Sequence, residues 1–316
     1  MNLVRSLRAI RSAEGAGIVD WEAASTAARE STPRGDLDLD DAERAHYRAA
    51  IEEAHGAVED ALDRTVTLPP TVEILDRHHW IDRTAASFGR IVDPTLADVT
   101  HHPAARTVNT ATASVTLGLL ARRVVGQFDP ALFGDPDDRA LYLVHPTLEH
   151  VAGELDVAPG RFRRWVTHHE MAHAAEFTVA PWLGPHLEEH IAGSLDSLAD
   201  GRLDREAVAE LDRTMTVVEG FAELVMDEAM AGDVADLRTR LEARRAGMNP
   251  LIQLLDWVLG IASKRRQYER GRSFFRAVHR ERGIEGALSV WTRPAALPTR
   301  DELDDPAAWL QRVDDR

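Results

Sequence analysis

The sequence predicts a mainly α-helical protein with a small β element, an α+β arrangement in which helix clearly outweighs strand. Three observations carry this. Apolar residues recur at three- and four-residue steps over much of the chain, the spacing of one helical face. Only two short runs, Thr71–Leu75 and Leu141–Val144, are bounded by breakers and read as strands. The 316 residues are 44% apolar, enough to bury a sizeable core. No fixed-period repeat is visible, which argues against a solenoid. The expected organisation is a single domain over residues 1–316, with an N-terminal helical part at 1–65 and a core at 66–316 that ends in a C-terminal strap.

The first 35 residues read as short helices that stop in the breaker-rich Ser31-Thr32-Pro33-Arg34-Gly35. The acidic run Asp36–Glu43 leads a helix to about Ala61, its carboxylates suiting the positive end of the helix dipole. A turn at Leu68-Pro69-Pro70 precedes the strand Thr71–Leu75. A helix over Arg77–Val92 is expected to stop at Asp93-Pro94. Thr107–Val125, rich in Ala, Thr, Val and Leu, reads as a buried helix stopping near Gly126. The second strand, Leu141–Val144, lies between Asp135-Pro136 and His145-Pro146. Asp156–Gly160 puts a proline in the opening turn of the next helix. One face of that helix carries Phe162, Trp165, Val166, His169, Ala172, His173 and Glu176, and it should end before Pro181. Mainly helical sequence follows from Asp204 to Met230 and from Asp233 to Arg282. The proline- and acid-rich tail Pro294–Pro306 reads as the extended strap.

Composition narrows the function. With 37 Lys and Arg against 53 Asp and Glu, the net charge is −16 and the isoelectric point near 5.3. Such a surface repels nucleic acid and anionic membrane. The absence of cysteine excludes disulfides, thiolate nucleophiles, cysteine-rich zinc modules and iron–sulfur clusters. The N-terminus shows no apolar stretch of signal-peptide length, and Leu251–Ala262 is too short to span a bilayer. The expected setting is cytoplasmic.

The chemistry concentrates in His169-Glu170-Met171-Ala172-His173, an H-E-x-x-H string inside a predicted helix. Histidines four apart sit one turn apart on the same side, so both imidazoles can reach one ion. Glu170 falls beside that ion without ligating it, where it can take a proton from an acidified water. Ordinary core histidines on an amphipathic helix are the competing reading. Glu219-Gly220-Phe221-Ala222-Glu223, 46 residues after His173, shifts the balance. A catalytic zinc needs a third protein ligand and an open position. Glu219 supplies the carboxylate, and Glu223, one turn on, is expected to accept the N–H of a ligand histidine.

Other histidines are weaker candidates. His186-Leu187-Glu188-Glu189-His190 fits the inverted H-x-x-E-H pattern and could begin a new helix. The doublets His78-His79 and His101-His102 cannot chelate one ion as adjacent helical residues. His145 and His150 read as loop and helix-start residues, and His168 faces about 100° away from His169.

The H-E-x-x-H helix followed by Glu-Gly-Phe-Ala-Glu resembles the gluzincin branch of the zincin metallopeptidases. More specifically, the chain resembles a bacterial and archaeal zincin-like metallopeptidase family often labelled as associated with biosynthesis of the deazaflavin coenzyme F-420. The shared stretches are Val125–Pro130, Leu143–Pro146, Phe162–Trp165 into the motif, Pro181–Leu183, Gln267–Gly271, and Trp291 with Leu297–Thr299. The likeness runs from about residue 70 to the end, and more weakly before. One departure is His145, where an acidic residue is expected before the proline. The resemblance implies a zincin-like core and a zinc-dependent hydrolase, with His169, His173 and Glu219 as ligands and Glu170 as general base. The coenzyme label implies no reaction.

Zincins commonly add a Tyr, His or Arg donor for the developing oxyanion. Of the three tyrosines, Tyr268 lies in a family-like segment and is the candidate, with His279 second. The leading expectation is therefore a zinc metallopeptidase or hydrolase acting on a peptide or small amide. The alternatives are a non-catalytic zinc-binding protein, or an accessory protein of deazaflavin cofactor metabolism that holds an acidic metabolite on Arg265, Arg266, Arg270 and Arg272.

Overall fold

The computed structural model describes residues 17–97, 103–199, 201–202, 204–230, 235–246 and 264–315. The chain is mainly helical with a small β element, as its residue spacing predicts, and among the described residues that element is one three-stranded sheet. It divides into two compact units. The first comprises Met1–Arg44, Pro69–Glu154 and Ile191–Asp204; the second comprises Ala45–Leu68, Leu155–His190 and Arg205–Arg316.

In the first unit the sheet order is β1-β3-β2, with β1 at Thr71–Leu75, β2 at Gly126–Asp129 and β3 at Ala140–Val144. β1 runs parallel to β3, with Ile74 opposite Leu143, and β2 runs antiparallel to it, with Phe128 opposite Leu141. Every residue of the central strand β3 is buried, which explains its continuous apolar run. The parallel pair needs a crossover, supplied by helices Arg77–Thr95 and Pro103–Leu120. These helices and Trp21–Ser31 close a core containing Ala24, Ala28, Trp80, Ile81, Leu117, Tyr142 and Val144. Two boundaries differ from the sequence expectation. The helix from Arg77 runs through Pro94 to Thr95, because a proline in the last turn removes only one backbone hydrogen bond. The helix expected to reach Val125 ends at Leu120, and β2 follows; its four residues are too few to show a period.

The second unit is built on long helices. In Asp41–Leu62 the buried residues Tyr47, Ala50, Ala54, Val58 and Leu62 form one stripe at three- and four-residue steps. The motif helix, Pro159–Val179, has proline in its first turn and stops before Pro181. The carboxylate helix, Arg205–Ala229, buries every residue from Thr216 to Met226. It packs against both the motif helix and the helix Lys264–Leu288. The second packing is unusually close: a Cβ at Gly220 would collide with the Gly271 backbone, and one at Gly271 with the Thr216 carbonyl oxygen. The glycine inside Glu-Gly-Phe-Ala-Glu is therefore a helix-crossing residue. The tail is not an extended strap. It forms the short helices Arg300–Asp304 and Pro306–Asp314. A Thr299–Glu302 capping box starts the first, and Arg312 holds Glu302 through Nε at 2.6 Å and Nη2 at 2.9 Å.

Among the described residues no helix is long and apolar enough to cross a membrane. The Leu251–Ala262 stretch lies outside the described residues.

Candidate metal centre

The motif helix sets the two histidines one turn apart, and their rings meet. His169 Nε2 and His173 Nε2 stand 3.2 Å apart, with ring centroids 4.6 Å apart and planes at 78°. Glu219, brought in by the carboxylate helix, places Oε2 at 3.8 Å from His173 Nε2. One ligand atom from each of the three residues lies within 4.8 Å of the other two. Nitrogens held at about 2.0–2.1 Å from a tetrahedral ion would lie about 3.3–3.4 Å apart, so the imidazole pair fits a single divalent cation.

The ring orientations are held from behind. Phe162, Trp165 and His169 form a near-parallel stack, with planes at 6° and 3° and centroids 6.1 and 5.7 Å apart. His173 donates from Nδ1 to Glu176 Oε2 at 2.9 Å, which turns its Nε2 toward His169. Glu176 is fully buried, and the sequence reading overlooked its role although it lies on the motif face, three residues beyond His173. Glu223, expected in that role, places its Oε2 at 2.5 Å from Arg238 Nη2. Asp227, one turn further, pairs with Arg238, Arg272 and Arg276. The carboxylate helix thus carries a stripe of acids, Glu219, Glu223 and Asp227. Arginines neutralise the second and third, whereas the first faces the imidazoles.

The electrostatics call for positive charge at that point. Burial alone would lower the pKa of His173, but Glu176, Glu219 and Glu170 push it up to about 9. Burial lifts Glu176 to about 7 against the pull of His173. Glu170 is buried and close enough to raise the pKa of His173 through its charge.

The remaining candidates are placed as follows. His168 is buried with Nδ1 at 2.7 Å from the Arg164 carbonyl, away from the cluster. His279 approaches Glu228 at 3.7 Å, nine residues and about 13 Å along the helix from Glu219, so it is not an oxyanion donor at this centre. The Tyr268 side chain and the doublet His101-His102 lie outside the described residues. His78 contacts the Thr32 carbonyl at 2.8 Å, and His79 pairs with Asp76 at 3.2 Å. Arg270 is engaged by Asp304 and Arg272 by Asp227, so these two do not form an open anion site. The side chains of Arg265 and Arg266 are outside the described residues.

A helix with two histidines a turn apart, completed by a glutamate from a second helix, is the metal-binding arrangement of a zincin-type hydrolase. The comparison of sequences agrees. A family model described as zincin-like metallopeptidase matches residues 19–204 and 192–310, and the chain belongs to that family. The fold is similar to the crystal structure of "a putative hydrolase with a novel fold" from Chloroflexus aurantiacus, with a TM-score of 0.77 and 26% identity. That match covers 94% of this chain and 99% of the other. No curated protein matches the chain. The family implies a divalent metal, typically zinc, and the cluster of His169, His173 and Glu219 has the donors to hold one.

Proposed function

We propose that this protein is a zinc-dependent metallopeptidase or amide hydrolase that cleaves a peptide or small amide. The convergence of His169, His173 and Glu219 from two helices carries this reading. When bound there, zinc would supply Lewis acidity and a water of lowered pKa. Glu170 takes the proton of the attacking water and passes it to the leaving nitrogen. Glu176 keeps His173 in the tautomer whose Nε2 is free to ligate. The stack beneath His169 limits its ring rotation, so the centre is arranged before an ion arrives. Tyr268 is the proposed donor to the developing oxyanion. Of the other tyrosines, Tyr47 is buried under the Arg163 guanidinium and Tyr142 is buried in β3.

The test is zinc analysis of the full chain, followed by a peptide and amide library read by mass spectrometry. One tightly bound zinc that depends on His169 and His173 is expected, with cleavage that Glu170→Gln abolishes. A chain that binds no zinc at these residues, or a Glu170→Gln variant with undiminished turnover, would overturn the reading.

A further inference from the structure

A second cluster of the same composition lies in the same unit. His186 and His190 face each other on the helix Leu183–Ala199, with centroids 4.6 Å apart and planes at 78°, the values found for His169 and His173. Glu210 belongs to the carboxylate helix, nine residues before Glu219, and its Oε1 stands 3.6 Å from His186 Nε2. Ligand atoms of His186, His190 and Glu210 lie within 4.8 Å of one another, as in the first cluster. The sequence context repeats as well: a tryptophan precedes the first histidine by four residues in both, Trp165 before His169 and Trp182 before His186. Trp182 donates from Nε1 to the Trp291 carbonyl at 2.7 Å and meets the His186 ring edge-on, which orients that imidazole.

We infer that His186, His190 and Glu210 form a second site for a divalent ion of the zinc type, linking the helices Leu183–Ala199 and Arg205–Ala229. Two imidazoles and one carboxylate match the donor preference of zinc and leave room for a solvent ligand. His186 and Glu210 are 11% and 24% exposed in their side chains, so an ion can enter from solvent. Arg213 competes, because its Nε donates to Glu210 Oε2 at 2.8 Å and its Nη2 pairs with Oε1. Thr214 Oγ1 also lies 3.4 Å from His186 Nε2. An ionised carboxylate accepts at about four positions, so the arginine pair leaves acceptor capacity for an ion. Its positive charge makes this site weaker than the first.

Equilibrium dialysis of the full chain against Zn2+ alone, with circular dichroism to verify folding, tests this. The wild type is expected to bind two equivalents, and His186→Ala, His190→Asn or Glu210→Gln to lose the weaker one. Arg213→Gln is expected to tighten that equivalent roughly tenfold by removing the neighbouring cation. His169→Ala should lose the other equivalent and keep the weaker one. A wild type with one equivalent that vanishes in His169→Ala would overturn the second site, as would a second equivalent that survives in folded His190→Asn and Glu210→Gln. One equivalent lost in His190→Asn but kept in His169→Ala would support the second site while overturning the first.

Discussion

Glu170 and Glu176 share one helix and lie six residues apart, yet the proposed function gives them different tasks. Glu170 follows His169 and is the proposed general base; Glu176 accepts the N–H of His173 from behind. Their variants should separate cleanly. Glu170→Gln is expected to keep zinc and lower kcat by about 10²–10⁴-fold or more, read as turnover at saturating substrate together with metal content. Glu176→Gln is expected to lower metal affinity about 10–100-fold, read by competition with a chelator. Residue types and spacing were enough to propose His169, Glu170, His173 and Glu219 as site residues, and the fold brings His169, His173 and Glu219 together. They were not enough to choose between Glu176 and Glu223, which are both acids one turn from a ligand. That choice depends on Arg238, which comes from a different helix and claims Glu223.

The helices themselves were largely legible, because the pattern of buried side chains follows local spacing and proline marks the ends. The motif helix begins at Pro159 and stops before Pro181 as its sequence implies. What spacing cannot show is which helix lies against which, and how closely. Nothing in the local sequence marks Gly220 as a crossing point, but it permits the contact with Gly271. Gly220→Ala forces backbone against side chain at this crossing, so a loss of about 1–3 kcal/mol is expected in denaturant unfolding. Because Glu219 is the preceding residue, the same variant should also weaken zinc binding. Wild-type affinity in Gly220→Ala would show that the crossing does not position the carboxylate. The tail was misjudged for a related reason. Its prolines suggested an extended chain, whereas Thr299 and Asp305 cap helices and Pro306 occupies a first turn, where proline is tolerated.

Stability of the whole chain should respond to metal and to pH through separate groups. Zinc at about 100 times its dissociation constant is expected to stabilise the folded chain by about 2.7 kcal/mol, seen as a melting temperature that rises with zinc concentration. The gain should disappear in a variant lacking both histidine pairs. In the first unit, Asp76 is buried and caps the helix Arg77–Thr95 by accepting from the backbone N–H groups of His78 and His79. Burial raises its pKa, but those hydrogen bonds, Arg34 and the His79 ring together hold it below the ordinary aspartate value. A depressed pKa means stability that is full above the unfolded value near 3.9 and is lost as pH falls through the folded value. Asp76→Asn keeps the cap and removes the charge. It should therefore cost about 1–2 kcal/mol at pH 7, with the difference closing below about pH 4 in urea titrations. A gap that persists unchanged in acid would show that the charge is not the source.

The linear chain was sufficient to specify a mainly helical protein and to single out the H-E-x-x-H motif and Glu219 as candidates for holding a metal, because these follow from residue type and from periodicities of three to four positions. Convergence of the His169–His173 pair with Glu219 and the partner of His173 needed the folded chain, as did the close crossing at Gly220 and the cluster around Glu210. Each depends on distances between helices far apart in sequence, and packing sets those distances.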